Sequence, residues 1–167
     1  MDARYDRLMK EGKTAEATKY LLRDLSDESK YSSVQMWTDN VVCICQESAF
    51  NFVDAVVNDI ALMYKEANAP LTTLHIGGDE VPHGVWEGSA ACKQLMAKDT
   101  TIKSVDVAAA VFLKRLSKSL ENYHVKVAGW EEIAFKKVKS ENGETKHAPT
   151  AEFVNGNYQV YVWKRLS

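Results

Sequence analysis

Asp79 and Glu80 stand side by side in this 167-residue chain, directly after Gly77-Gly78 and directly before Val81-Pro82. Two neighbouring carboxylates suit glycosyl transfer. One must be protonated to help a leaving oxygen depart, and the other must stay ionised to stabilise developing positive charge. Close carboxylates oppose each other's ionisation, which favours that division of roles. On a regular strand their side chains would point to opposite faces. Both reach one pocket only where the strand has ended, and two glycines permit the change of direction. An Asp-Glu pair by itself is ordinary on a solvated turn, so the surrounding residues decide. His75 precedes the pair, and His83 and Trp86 follow it. His75, Asp79, Glu80 and His83 are all metal-ligand types. Their spacing matches no helical zinc motif such as His-Glu-x-x-His, and no metal is expected. His75 is a candidate for the pocket or for packing behind it. Trp86 is a candidate for the pocket rim, with plain packing an equal alternative.

An apolar run of strand length, residues 71–76, delivers the acids. Before it, Ala49, Val53, Val56, Ile60 and Met63 recur at helical spacing and predict a helix over 48–67. Pro70 ends that pattern. After the acidic turn, Ser89 is a predicted N-cap for a helix reaching residue 97. A second helix is predicted over 105–123, with Ala109, Phe112, Leu113, Leu116 and Leu120 as its apolar stripe. Further strands are predicted over 125–130 and 158–163. Short helices are predicted over 2–10, 15–25 and 149–157. Residues 26–31 and 136–147 read as polar loops, with Asn142-Gly143 at the tip of the second. Residues 34–37 read as extended, with Trp37 packing. Alternating helices and strands predict parallel strands joined by crossovers, and therefore an α/β fold in one domain over residues 1–167.

Composition narrows the classes of partner. Hydrophobic residues make up 46% of the chain, enough for a sizeable core. The formal charge of −2 and scattered basic residues argue against a nucleic-acid binder. No apolar run approaches the ~20 residues of a membrane span, and no signal peptide opens the sequence. The first residues and the strand-like last ones suggest boundaries within a longer protein. The three cysteines, Cys43, Cys45 and Cys92, read as partly buried thiols.

The whole string His75-Ile76-Gly77-Gly78-Asp79-Glu80-Val81-Pro82, with Trp86 following, closely resembles the signature of the family 20 glycoside hydrolases, the β-N-acetylhexosaminidases and bacterial chitobiases. Residues 1–8 are similar to a segment that follows a barrel strand in bacterial chitobiases. Gly129-Trp130-Glu131-Glu132-Ile133 is similar to the end of the next barrel strand. Val160-Tyr161-Val162-Trp163 is similar to the strand after that, which ends in a pocket tryptophan.

The resemblance implies a partial (β/α)8 TIM barrel. The chain would hold about three parallel strands, approximately the fourth to sixth, of a domain of ~250 residues or more. The activity implied is retaining, substrate-assisted hydrolysis of terminal β-linked GlcNAc or GalNAc, as in chitooligosaccharides. Glu80 would be the general acid and then the base. Asp79 would orient the 2-acetamido group and stabilise its oxazolinium-like intermediate. Trp130 and Trp163 would wall the acetamido pocket. No cofactor is implied. The parent protein would be periplasmic or secreted. The chain lacks the family's early-strand arginine, the histidine of the preceding strand and the later tyrosine and tryptophan motifs. A catalytically inactive carbohydrate-binding or structural piece is the alternative. Open sheet edges in a partial barrel invite pairing with a second copy.

Overall fold

Helix formation in the middle of the chain follows its apolar periodicity. In the computed structural model, which describes residues 2–139, 142–143, 145–150, 153 and 158–163, the long helix α3 runs Glu47–Glu66. Two short helices, α1 (Asp2–Lys10) and α2 (Thr14–Thr18), precede it. Strand β1 (Thr73–His75) follows. Helix α4 (Ala90–Lys98) begins at Ser89, whose hydroxyl accepts the Cys92 N–H at 3.2 Å as the sequence predicts. Helix α5 spans Val105–Glu121 and is capped the same way by Ser104. Strand β2 (Lys126–Trp130), a 3-10 turn (Glu131–Ile133), the pair β3 (Phe135–Lys139) and β4 (Thr145–Pro149), and strand β5 (Tyr158–Tyr161) complete the order.

The sheet is ordered β1-β2-β5 and all its pairs are parallel. His75 lies opposite Ala128, and Trp130 lies opposite Tyr161. Because side chains alternate along a strand, Leu74, Val127 and Tyr158 share one face. They pack with Val57 of α3 and with Leu113, Leu116 and Leu120 of α5. Burying a side chain such as Leu120 stabilises by about 1.5–3 kcal/mol. A polar seam reinforces the two helices on their exposed side. The Arg115 guanidinium grips Glu47 with both arms and lies 3.7 Å from the centre of the Phe50 ring. That hydrogen bonding lowers the Glu47 carboxyl below its ordinary range and raises Arg115. Tyr123 donates to Asn58, about three turns further along α3. Three parallel strands with helices along one face agree with the partial barrel expected.

Four sequence expectations change. Residues 136–147 are not a loop: β3 and β4 form an antiparallel hairpin, Phe135 opposite Pro149 and Lys139 opposite Thr145. Lys136, Lys137 and Lys139 gave that stretch the composition of a solvated loop, with no apolar alternation to mark a strand. The predicted helix over 15–25 stops at Thr18. The residues after it are spent on the neighbouring α4: Asp24 accepts the Ala91 N–H at 2.9 Å and the Ser89 hydroxyl at 2.8 Å. Residues 34–37 turn instead of extending. Met36 has φ +64, and the Ser33 N–H meets the Trp37 carbonyl at 2.8 Å. Nor are all three cysteines thiols: Cys45 and Cys92 form a disulfide across 47 residues, and Cys43 alone is free and buried. The predicted helix over 149–157 lies largely outside the described residues.

Candidate active site

The three parallel strands end at one edge of the sheet, and the candidate residues come from those ends. β1 leads through Gly77 (φ +76) and Gly78 (φ +89) into Asp79 and Glu80. The backbone is anchored while it turns. The Trp130 N–H donates to the Gly77 carbonyl at 3.0 Å, so the tip of β2 holds the turn directly. The Gly77 N–H donates to His75 Nδ1 at 3.1 Å, which leaves the ring's own N–H to Nε2. Ile133 fills the space beneath. A Cβ on Gly78 would fall 2.1 Å from Ile133 Cγ2, and one on Gly129 would fall 2.6 Å from Ile133 Cδ1. Glu80 itself has φ +53, a left-handed conformation uncommon for a residue with a side chain. Its Oε2 accepts from Gln35 Nε2 at 3.3 Å.

Alongside the turn lies an aromatic cluster. His75 is 5.0 Å from the Trp130 ring and 5.1 Å from Tyr161, both edge-on. Trp130 is 6.2 Å from Trp163 and 6.3 Å from Tyr161. These separations are those of favourable aromatic pairs. Trp163 lies two residues beyond β5 and is 49% exposed. Two carboxylates meet it: Glu131 Oε2 accepts its backbone N–H at 3.1 Å, and Glu132 Oε2 accepts its indole N–H at 3.4 Å.

Of the candidates named from sequence, His75, Trp130 and Trp163 are brought together, beside the turn bearing Asp79 and Glu80. Trp86 is not with them. It is 8% exposed, donates its indole N–H to the Val42 carbonyl at 2.9 Å and packs with Cys43, Ile44, Val85 and Cys92. Packing, not the pocket rim, is its place. Trp37, expected to pack, is 62% exposed. Sequence reasoning assigned no role to Glu131, Tyr161 or Gln35. Glu131 carried a signal, since it directly follows the strand-end tryptophan. Gln35 carried none, because its partner is 45 residues away. His75, Asp79, Glu80 and His83 do not gather as a metal cluster: among the described residues no three such side chains do. Among them, too, no helix is long and apolar enough to cross a membrane.

The long segment before α3 closes over the acidic turn. The Lys30 carbonyl lies where a Cβ on Gly84 would come within 2.7 Å, and the Gly88 N–H donates to Ser29 Oγ at 2.8 Å. Asp24 anchors this segment. Burial pushes its carboxyl up, but hydrogen bonds from Ala91, Ser26 and Ser89 outweigh that and hold it at about 2.

Comparison with known proteins points one way. Residues 5–167 match the description "Glycosyl hydrolase family 20, catalytic domain". The chain is 36% identical over 132 residues to a β-hexosaminidase B of Pseudoalteromonas piscicida, covering 79% of this chain and 17% of that one. It is 52% identical over 81 residues to an N,N'-diacetylchitobiase of Vibrio harveyi, covering 48% of this chain and 9% of the relative. A crystal structure of a Vibrio harveyi exo-β-N-acetylglucosaminidase bound to N-acetylglucosamine superposes with a TM-score of 0.65 at 28% identity, over 92% of this chain and 21% of that chain. The chain thus spans about a fifth or less of these relatives' length. The strands, the glycine turn with its two acids and the aromatic strand ends all lie within the matched residues 5–167, and the chain belongs to glycosyl hydrolase family 20.

Proposed function

We propose that this chain is the acid-bearing part of a β-N-acetylhexosaminidase that removes terminal β-linked GlcNAc or GalNAc, as from chitooligosaccharides. In this reading Glu80 protonates the glycosidic oxygen as the bond to the anomeric carbon breaks. The substrate's own acetamido oxygen closes on that carbon, giving an oxazolinium-like intermediate with retained geometry overall. Asp79 accepts the acetamido N–H and balances the positive charge. Water then attacks the anomeric carbon as its bond to the acetamido oxygen breaks, regenerating the acetamide, and gives its proton to Glu80, which is restored as an acid. The faces of Trp130 and Trp163 enclose the acetamido methyl and sugar ring, and His75 supports Trp130 from β1. The observation that carries the reading is the Trp130–Trp163 pair at 6.2 Å, with the Trp130 backbone hydrogen-bonded to the turn that bears both acids.

The disulfide between Cys45 and Cys92 supports an exported parent protein, since such bonds persist in oxidising compartments. The edges of the three-stranded sheet support self-association by strand pairing. A strictly monomeric sedimentation profile at high concentration would count against that pairing.

The test is release of 4-nitrophenol from 4-nitrophenyl N-acetyl-β-glucosaminide, with Glu80→Gln alongside. Loss of a general acid slows such a reaction by about 10²–10⁴-fold. Equal turnover by the two proteins would sink the assignment of Glu80. Saturable binding of N-acetylglucosamine with no turnover by either would favour a carbohydrate-binding role, to which the half-exposed Tyr161 and Trp163 rings are also suited.

A further inference from the structure

We infer that Glu131 and Glu132 are positioning residues that clamp Trp163 at two points and so set the aromatic wall facing Trp130. The inference rests on the reading of Trp163 as a pocket residue. Glu131 is 3% exposed, the one carboxylate among the buried polar side chains of the described residues. A charge so buried is costly unless it is hydrogen-bonded. One of its bonds is spent on the backbone of Trp163, at 3.1 Å and 32 positions away. Its neighbour Glu132 takes the indole N–H of the same residue at 3.4 Å. Successive side chains reach the same tryptophan because the chain leaves β2 in a 3-10 turn, where adjacent residues no longer point to opposite faces.

The clamp answers a mechanical need. Trp163 lies two residues past the last printed pair of the β2–β5 ladder, Trp130 opposite Tyr161. It is half-exposed and has a ring-to-ring contact with Trp130 on one side. A backbone tether alone would fix where the residue starts but leave the indole free to rotate. A tether on the ring nitrogen alone would leave the strand end free to swing. The two together fix both. The same 3-10 turn carries Ile133, which packs beneath Gly78. One short segment thus seats the acidic turn with one side chain and the tryptophan with two others.

The test uses the full chain, labelled with nitrogen-15. Its four tryptophans give four indole resonances, and Trp163→Phe identifies the one from Trp163. In Glu132→Ala the Trp163 indole proton should move upfield and exchange with water about tenfold faster, as expected when a hydrogen bond worth about 1 kcal/mol is lost. The Trp86 indole, bonded to Val42, should stay in place and reports that the fold is intact. Glu132→Gln, which keeps an oxygen acceptor, should restore most of the slow exchange. Glu131→Gln keeps an acceptor for the Trp163 backbone without opening a cavity, and should shift the Trp163 resonances while leaving Trp86 unmoved. Unchanged Trp163 resonance and exchange in Glu132→Ala, with Trp86 unmoved, would overturn the clamp. Titration with N-acetylglucosamine separates the two ideas. If the sugar moves neither the Trp130 nor the Trp163 resonance of the parent chain, the pocket reading fails, and the indole comparison still decides the clamp.

Discussion

The fit between Gly78 and Ile133 can be tested as a coupled pair. Alanine at position 78 incurs two separate costs. With φ at +89 it would occupy a region that L-residues disfavour by about 1–2 kcal/mol. Its Cβ would also sit 2.1 Å from Ile133 Cγ2. That methyl is on the branched carbon and cannot move without turning the stiff χ1 of isoleucine, so the clash is not relieved cheaply. Overpacking of this kind costs about 1–3 kcal/mol, which brings Gly78→Ala to about 2–5 kcal/mol in all. Ile133→Ala alone removes a partly buried side chain packed on the core and should cost about 1–3 kcal/mol. In the double variant the clash is gone while the backbone cost remains. The two changes should therefore fall short of additivity by about 1–3 kcal/mol. Urea unfolding followed by tryptophan fluorescence reads this directly. With a slope of about 2 kcal/mol per molar urea, a 2 kcal/mol coupling is about 1 M in the midpoint. If the double variant loses the sum of the two single losses to within about 0.5 kcal/mol, Ile133 does not seat the acidic turn and the reasoning fails.

Other perturbations address the segment above the turn. Replacing Cys45 and Cys92 by serine reopens a loop of 47 residues and should cost about 4 kcal/mol on the chain-entropy argument, seen as a lower urea midpoint that reductant does not change further. Asp24 titrates at about 2 when folded against 3.8 for the free side chain, so its contribution is complete above pH about 4 and is lost as pH falls toward 2. Allowing for solvent screening it is worth about 1–2 kcal/mol, and Asp24→Asn should flatten the stability profile across that window. A profile that keeps its slope in the variant would place the titration elsewhere. Arg115→Leu should cost at most about 1 kcal/mol, because its ion pair with Glu47 is exposed, and the loss should shrink in high salt.

Legibility from sequence tracked how local each determinant is. The helices α3 and α5 and the Ser89 cap were readable because each is written in one periodic stretch or one capping residue. The aromatic strand ends were readable from short strings that resemble a known family. The disulfide was not, since Cys45 has its nearest cysteine two residues away and only the fold brings Cys92 to it. The hairpin of β3 and β4 is not legible because Phe135-Lys136-Lys137-Val138-Lys139 is lysine-rich and carries no apolar alternation. Residues 15–25 carry good helix formers, yet tertiary hydrogen bonds donated to Asp24 by the start of α4 win over intrinsic propensity there. Trp86 shows the reverse limit. Its spacing after the acids fits a pocket rim, but the Val42 carbonyl and the packed cluster around Cys43 claim it for the core.

These long-range contacts share a direction. The 3-10 turn after β2 presses Ile133 against the glycine turn from below and holds Trp163 at the side. The segment before α3 meets the same region from above: Gln35 at Glu80, Ser29 at Gly88, Val42 at Trp86, and Cys45 bonded to Cys92. Both supports are needed for a physical reason. A left-handed Glu80 after two left-handed glycines has no ladder of its own to keep it in place, and backbone in such regions persists only where its surroundings over-determine it. Strand β1 supplies only three paired residues. The geometry of the acids is therefore set mostly by segments distant in sequence. It follows that substitutions in residues 29–35 or 131–133 should disturb the acidic turn more than equally conservative changes within β1.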